Sequence, residues 1–452
     1  MKYYLITLGC QMNLSDSERV RTVIDGMGYA WTDDEEEAGL LGIVACSVRQ
    51  NAINKVYSRI SKWNRMKYKH SLVTFITGCI LPADKERFLK LFDLVFPMSE
   101  LLEFPQLLSS YGVVSAGSLR AMAEEMKLNQ SISDFWHISP HYSSSFEAFI
   151  PIQNGCDKFC TFCAVPYTRG REISRPSGEI LEELKTLIGN GYKSITLLGQ
   201  NVNSYGLDRK GEEMNFPQLL EAIGQAGQAS GKEFWVYFTS PHPRDMSNEV
   251  IDIIARYSHL GKQIHLPLQS GDDKVLIRMN RKHSIDRYRE IVRKIRATIP
   301  EATIFTDIIV GFTGETEEQF ESTVRAFGEF RFHMAYIAKY SPRPGAASSR
   351  WDDDVPHEVK KSRLHRLTGE LEKHALELNR TLIGKRRRVL VTARDRKEGY
   401  LAGLTEGKIV LRFPSDDPSL IGQFVDVKIL SATPFSLEAG PAIILKTRTV
   451  MS

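Results

Sequence analysis

Residues 156–163 place three thiols, Cys156, Cys160 and Cys163, in a C-x3-C-x2-C spacing. Three thiolates this close can hold one face of a [4Fe–4S] cube and leave the fourth iron open to another ligand. A structural zinc site would want a fourth Cys or His, and the nearest histidine downstream, His242, is not part of a compact knuckle. The other three cysteines, Cys10, Cys46 and Cys79, lie far apart in sequence. Each one directly follows a short apolar run that reads as a strand, at residues 3–8, 42–45 and 72–77.

The elements around these cysteines decide what they can do together. The first region alternates strand and helix. Ser15, Asp16, Ser17 and Glu18 carry capping residues and open an amphipathic helix. A basic helix spans 49–69, another helix spans 84–92, and residues 94–97 form a fourth strand. Short apolar strands separated by helices predict a parallel sheet covered on both faces. The strand C-termini of such a sheet share one edge, where open α/β sheets bind ligands. Cys10, Cys46 and Cys79 should therefore converge there; otherwise they are three unrelated core cysteines.

The second region repeats strand and helix six times. Its strands are expected at 148–152, 194–198, 234–238, 263–268, 303–310 and 334–340. Helices fall between them at 178–188, 216–229, 248–259, 286–299 and 316–330. This is the pattern of a partial (β/α)6 barrel, with the 156–163 cluster just after its first strand. Polar or Gly-rich motifs follow each strand, including Gly199-Gln200-Asn201, Gln269-Ser270-Gly271 and Gly311-Phe312-Thr313-Gly314-Glu315. A charged helix at 357–381 leads to β-prone runs at 388–393, 408–413 and 424–430, which read as a small antiparallel barrel. The fold class is α/β, divided into 1–117, a linker at 118–145, a barrel at 146–380 and a small barrel at 381–448.

Composition is that of an ordinary soluble globular protein: 452 residues, 42% hydrophobic, 25% charged. A net charge of +4 permits a nucleic-acid partner without arguing for one. No apolar run is long enough to span a bilayer, so no membrane partner is expected. The segment Met1 to Cys10 is too short in its apolar part for a lipoprotein signal. The expected compartment is the reducing cytoplasm, where six cysteines serve as ligands, redox groups or core packing rather than disulfides.

C-x3-C-x-aromatic-C after the first strand of a partial barrel resembles the signature of radical S-adenosylmethionine (SAM) enzymes. The resemblance implies that the open iron chelates SAM, which reduction cleaves to a 5′-deoxyadenosyl radical. The three regions in order further resemble the methylthiotransferases, which carry an N-terminal three-cysteine domain, a radical SAM barrel and a C-terminal TRAM domain. Gly9-Cys10-Gln11-Met12-Asn13, Cys46-Ser47-Val48-Arg49, residues 165–172 and residues 198–205 resemble the branch that acts on tRNA. The sister branch, acting on a ribosomal protein, typically has Pro-Lys after its first cysteine. Ala45, Gln50 and Ile80-Leu81-Pro82 depart from the commoner residues of the tRNA branch.

The resemblance implies two [4Fe–4S] clusters. Cys156, Cys160 and Cys163 would hold the SAM cluster; Cys10, Cys46 and Cys79 would hold an auxiliary cluster where sulfur is staged. Two SAM molecules are used per turnover, one as methyl donor and one as radical source. The implied reaction adds a methylthio group to C2 of N6-isopentenyladenosine at position 37, beside the anticodon. Rival substrates are N6-threonylcarbamoyladenosine in tRNA and a ribosomal protein side chain; a different class is a non-catalytic RNA-binding protein with structural metal. Implied partners are a tRNA anticodon stem-loop, a reductase or flavodoxin-type electron donor, and a sulfur donor, with the enzyme a monomer. Phe162 could pack on the SAM adenine or simply within its loop. Gln200 and Asn201 could bind the SAM amino group, and Gln269 and Ser270 its ribose or carboxylate. Gly311, Gly314 and Glu315 could line the adenine site or merely form a turn and cap. Arg169, Arg171 and Arg175, and the run Lys385, Arg386, Arg387 and Arg388, could contact RNA phosphates or form a solvated face.

Overall fold

The computed structural model describes residues 1–48, 50–109 and 132–443. Five strands open the chain: β1 Lys2–Leu8, β2 Ala30–Trp31, β3 Leu40–Cys46, β4 Val73–Cys79 and β5 Leu94–Val95. They form one parallel sheet in the order β2-β1-β3-β4-β5, a flavodoxin-like arrangement. Every residue of β3 and β4 is buried, as expected of strands covered on both faces. Helix Gln11–Gly26 packs Val20, Val23 and Ile24 on one face beside Tyr3, Leu40 and Val44. Helix Gln50–Met66 packs Ile53, Val56, Ile60 and Trp63 on the other, beside Leu41, Ile43 and Ala45.

Some boundaries differ from the sequence reading. The first helix begins at Gln11, with Cys10 as its N-cap, rather than at Ser15. The cause is local: Asn13 Oδ1 accepts from the Cys10 amide at 3.2 Å, the reciprocal bond of a capping box. Residues expected in the linker are partly structured. Helix Ile132–His137 sends Phe135 and Trp136 into the N-terminal core, and Ser143 donates to Glu18 through both its amide and hydroxyl. Residues 118–131 lie outside the described residues.

The central region holds β6 Glu147–Pro151, β7 Gln153–Asn154, β8 Ile173–Ser174, β9 Ser194–Leu198, β10 Trp235–Phe238, β11 Gln263–His265, β12 Thr303–Val310 and β13 Met334–Lys339. Six of these form two parallel half-sheets, β10-β9-β6 and β11-β12-β13. Strands and surrounding helices share one large apolar core. β11 stops at His265, short of the expected 268. Pro267 has no amide to offer the ladder, and Leu268 donates to the Thr306 hydroxyl instead.

Helix His357–Arg380 leads to β14 Arg386–Arg394, β15 Tyr400–Thr405, β16 Val410–Pro414, β17 Phe424–Ala432 and β18 Ser436–Ala439. These close into a barrel, β14-β15-β16-β18-β17. It is not wholly antiparallel, because β18 closes the ring by pairing parallel to β16. The small barrel docks where the central strands begin. Tyr237 donates to the Glu406 carbonyl at 2.9 Å, Thr303 donates to the Gly407 carbonyl at 2.7 Å, and Trp235 packs edge-on against Phe424. A Cβ on Gly407 would lie 2.5 Å from Thr303 Cγ2, so glycine permits this approach. Among the described residues no helix is long and apolar enough to cross a membrane.

Candidate active site

The N-terminal thiols meet as the strand pattern requires. Cys46 and Cys79 are direct register partners at the ends of β3 and β4. Cys10 stands two residues beyond Leu8, the partner of Ala45. Three neighbouring strands thus offer three thiols along one edge. Gly78 makes the crowding possible: it takes φ +110°, and a Cβ there would lie 2.4 Å from the Ala45 carbonyl oxygen. Asn13 Nδ2 donates to the Ala45 carbonyl at 3.1 Å and approaches Cys79 Sγ at 3.6 Å. The Cys46 thiol hydrogen-bonds the Cys79 sulfur and is pushed up, while that bond pulls Cys79 down, helped by the Arg169 charge.

The 156–163 loop is held by a second loop, Met279 to Arg281. Thr161 donates through its amide to the Met279 carbonyl at 3.1 Å and through its hydroxyl to Arg278 at 2.8 Å. Asn280 Nδ2 reaches the Phe159 carbonyl at 2.9 Å, and Arg281 Nη1 lies 3.5 Å from Cys160 Sγ. Gly155 takes φ +78° immediately before the first thiol, packed against the Arg171 carbonyl. Burial pushes the Cys156 thiol up to about 11 and Cys163 up to about 12. A thiolate at either position therefore wants positive charge beside it, which iron supplies. Among the described residues no three His, Cys, Asp or Glu side chains converge as the shell of a single metal ion.

Beside this loop lies a polar network. Ser204 Oγ accepts from Asn201 Nδ2 at 2.8 Å and Gln153 Nε2 at 3.3 Å. Asn201 Nδ2 also donates to Asp245 at 3.1 Å, and Asp245 pairs with Lys158 at 2.6 Å. Four acceptors in this neighbourhood, Gln153 Oε1, Glu172 Oε2, Gln200 Oε1 and Asn201 Oδ1, have no hydrogen-bond partner among the described residues. Burial raises Glu172 to about 7. Buried acceptors left unpaired are costly, so this patch suits a ligand bearing N–H donors. Gln269, at the foot of the next loop, holds φ +74°, a strained backbone of the kind found at ligand sites.

Several expected site residues do other work. The Arg169 side chain is 6% exposed and paired with buried Asp16, so it is not an RNA phosphate contact. Arg175, equally buried, is held by Glu179 and Glu183. Ser270 is fully buried and turns toward Thr323 and the Asp272 amide rather than toward a ribose. Glu315 is turned inward, its Oε2 accepting from the Gly311 amide at 2.6 Å and from Arg363 at 2.9 Å, so that one of its carboxylate oxygens is spent on its own turn and the following helix. Gly311 and Gly314 give room to Lys360 and Arg278. Phe162 packs with Val275, Met279, Phe312 and Tyr340. Arg388 is committed to Glu233 and Asp426. Exposed Arg171 pairs with Asp157, and Lys385 and Arg386 are exposed. Asn13, Asp16, Lys158, Arg281 and Asn280 were missed by motif reasoning. Three of them left a signal: Lys158 lies inside the 156–163 motif, and Asn13 and Asp16 fall on one helix three and six residues after Cys10.

Family models match in the same order as the structure. The Radical SAM superfamily model matches residues 150–327, Uncharacterized protein family UPF0004 matches 2–97, and the TRAM domain matches 380–441. A tRNA-2-methylthio-N(6)-dimethylallyladenosine synthase from Geobacter metallireducens is 38% identical over 437 residues, 96% of this chain and 97% of the relative. Another so named, from Chromobacterium violaceum, is 37% identical over 449 residues, covering 98% of each. The chain belongs to this synthase family. As a radical SAM family member it takes a [4Fe–4S] cluster and SAM. Among solved structures, the radical SAM methyltransferase TsrM from Kitasatospora setae aligns over 91% of this chain and 80% of its own. Its TM-score is 0.55 at 13% identity, a likeness of fold alone.

Proposed function

We propose that this chain methylthiolates tRNA, converting N6-isopentenyladenosine at position 37 to its 2-methylthio derivative by radical SAM chemistry. The observation that carries the reading is the near-full-length relationship to synthases of that name. Residues 1–117 hold the auxiliary cluster through Cys10, Cys46 and Cys79, residues 146–380 hold the SAM cluster through Cys156, Cys160 and Cys163, and residues 381–448 bind RNA.

Bound there, the clusters supply the electron that cleaves SAM and the sulfur that is transferred. The chain does the positioning. Gln153, Glu172, Gln200 and Asn201, whose oxygens lack partners among the described residues, would accept from the amino group of SAM, and Gln269, with φ +74°, would contact its ribose or carboxylate. Met279 to Arg281 lock the cluster loop. Arg171, Lys385, Arg386 and Arg387 meet the phosphates of an anticodon stem-loop. Two SAM molecules serve each turnover in a cytoplasmic monomer, with an electron donor and a sulfur donor supplied from outside.

The test is anaerobic reconstitution followed by incubation with SAM, reductant and isopentenylated tRNA, with nucleosides read by mass spectrometry. A methylthio nucleoside is expected. 5′-Deoxyadenosine without it would redirect the substrate to threonylcarbamoyladenosine or protein. No SAM cleavage at full iron and sulfide loading would overturn the reading.

A further inference from the structure

The guanidinium of Arg169 touches one candidate cluster site and the residue two positions ahead of the other. Its Nε donates to Cys79 Sγ at 3.0 Å. Its two terminal nitrogens face the carboxylate of Asp16, which is fully buried on the helix capped by Cys10. Nη1 also lies 3.3 Å from Asn154 Oδ1, and Asn154 Nδ2 returns a bond to the Arg169 carbonyl at 2.9 Å. Asn154 stands two residues before Cys156. Arg169 is thus fixed to the barrel at its backbone and to the N-terminal sheet at its tip. Burial alone would lower its pKa, but Asp16 and then Cys79 outweigh burial and the net shift is upward.

We propose that Arg169 is a positioning residue that clasps the two cluster-bearing domains and raises the reduction potential of the auxiliary cluster. The inference rests on Cys10, Cys46 and Cys79 being the ligands of that cluster. A hydrogen bond to a ligand sulfur and a nearby positive charge both favour the more negative, reduced state; potentials of such clusters follow hydrogen bonding and charge. Asp16 opposes the charge while aligning the fork. Lysine cannot replace this, since a point charge on a flexible stem cannot meet a sulfur and a carboxylate in one plane.

The experiment isolates the auxiliary cluster in the full chain by Cys156→Ala/Cys160→Ala/Cys163→Ala. Iron and sulfide are counted, and the midpoint potential is read by redox titration with electron paramagnetic resonance. In this background Arg169→Gln is expected to shift the midpoint negative, Arg169→Lys less so, and Asp16→Asn to shift it positive. A clasp that only holds the domains together would behave differently: opening it wets the cluster in every variant and moves all midpoints the same way. Equal midpoints, or shifts of one sign in Arg169→Gln and Asp16→Asn, overturn the inference. If Arg169→Gln fails to retain its cluster, Asp16→Asn decides alone, and an unchanged or negative shift refutes the claim. No iron in the triple-cysteine parent would instead refute the ligand assignment.

Discussion

Lys408 makes the docking of the small barrel dependent on pH. It sits in the turn between β15 and β16 with φ +54°, and its ammonium lies 4.1 Å from the centre of the Tyr237 ring. Burial pulls its pKa from 10.5 to about 8, with the Glu147 carboxylate opposing the shift. A lysine depressed on folding is protonated more readily when unfolded. Between pH 8 and 10.5 the unfolded chain binds the extra proton, so stability rises with pH across that window. At about 1.36 kcal/mol per unit the ceiling is about 3 kcal/mol; partial solvent access and the aromatic ring reduce it to about 1–2 kcal/mol. Glu147→Gln removes the opposing carboxylate and isolates the lysine. In that background Lys408→Met should stabilise the docked state by about 1–2 kcal/mol at pH 7, and the advantage should fade by about pH 10. Thermal unfolding of both proteins at several pH values measures the difference. A gain independent of pH, or one that grows with pH, would refute the reasoning.

Gly155→Ala would drive a Cβ to 1.9 Å from the Arg171 carbonyl oxygen, so the β7–β8 hairpin must splay. The expected cost is about 2–4 kcal/mol from the left-handed backbone and lost hydrogen bonds. Iron loading at 156–163 should fall while the N-terminal site still fills, as metal analysis of the two cysteine knockouts would show. Arg363→Met strands the buried Glu315 carboxyl, already raised to about 6 by burial. Unfolding should show a loss of about 3–5 kcal/mol at pH 8. The loss should shrink as pH falls toward about 6, because without Arg363 to oppose burial Glu315 takes its proton at higher pH, and a pH-independent loss would count against the buried charge as its cause. Trp63→Ala empties a fully buried site and orphans a 2.8 Å bond to Glu35. A loss of about 3–5 kcal/mol in N-terminal stability is expected by denaturant titration.

The strand-end position of each cysteine was legible because period and register act locally: a strand that ends at residue 46 beside one that ends at 79 leaves little freedom. The six barrel strands were legible for the same reason, and the one that ran short did so at Pro267. Arg169 was not legible. Its partners stand 90 and 153 residues away in sequence, and a basic residue beside a cluster motif gives no sign of whether it turns outward to phosphate or inward to sulfur. Glu315 and Ser270 misled similarly, since a loop at the right end of a barrel can spend its polar groups on its own turn.

The small barrel across the starting ends of the strands has a consequence for traffic. With Gly407 against Thr303 and Phe424 against Trp235, one end of the vessel is stoppered by the protein itself. That leaves the other end, where the loops bearing the cysteines lie, for whatever reacts inside. A bulky RNA laid over that mouth would trap anything smaller already within. Under the proposed function, the RNA and the smaller reagent would share the mouth at the opposite end, beside the cysteines.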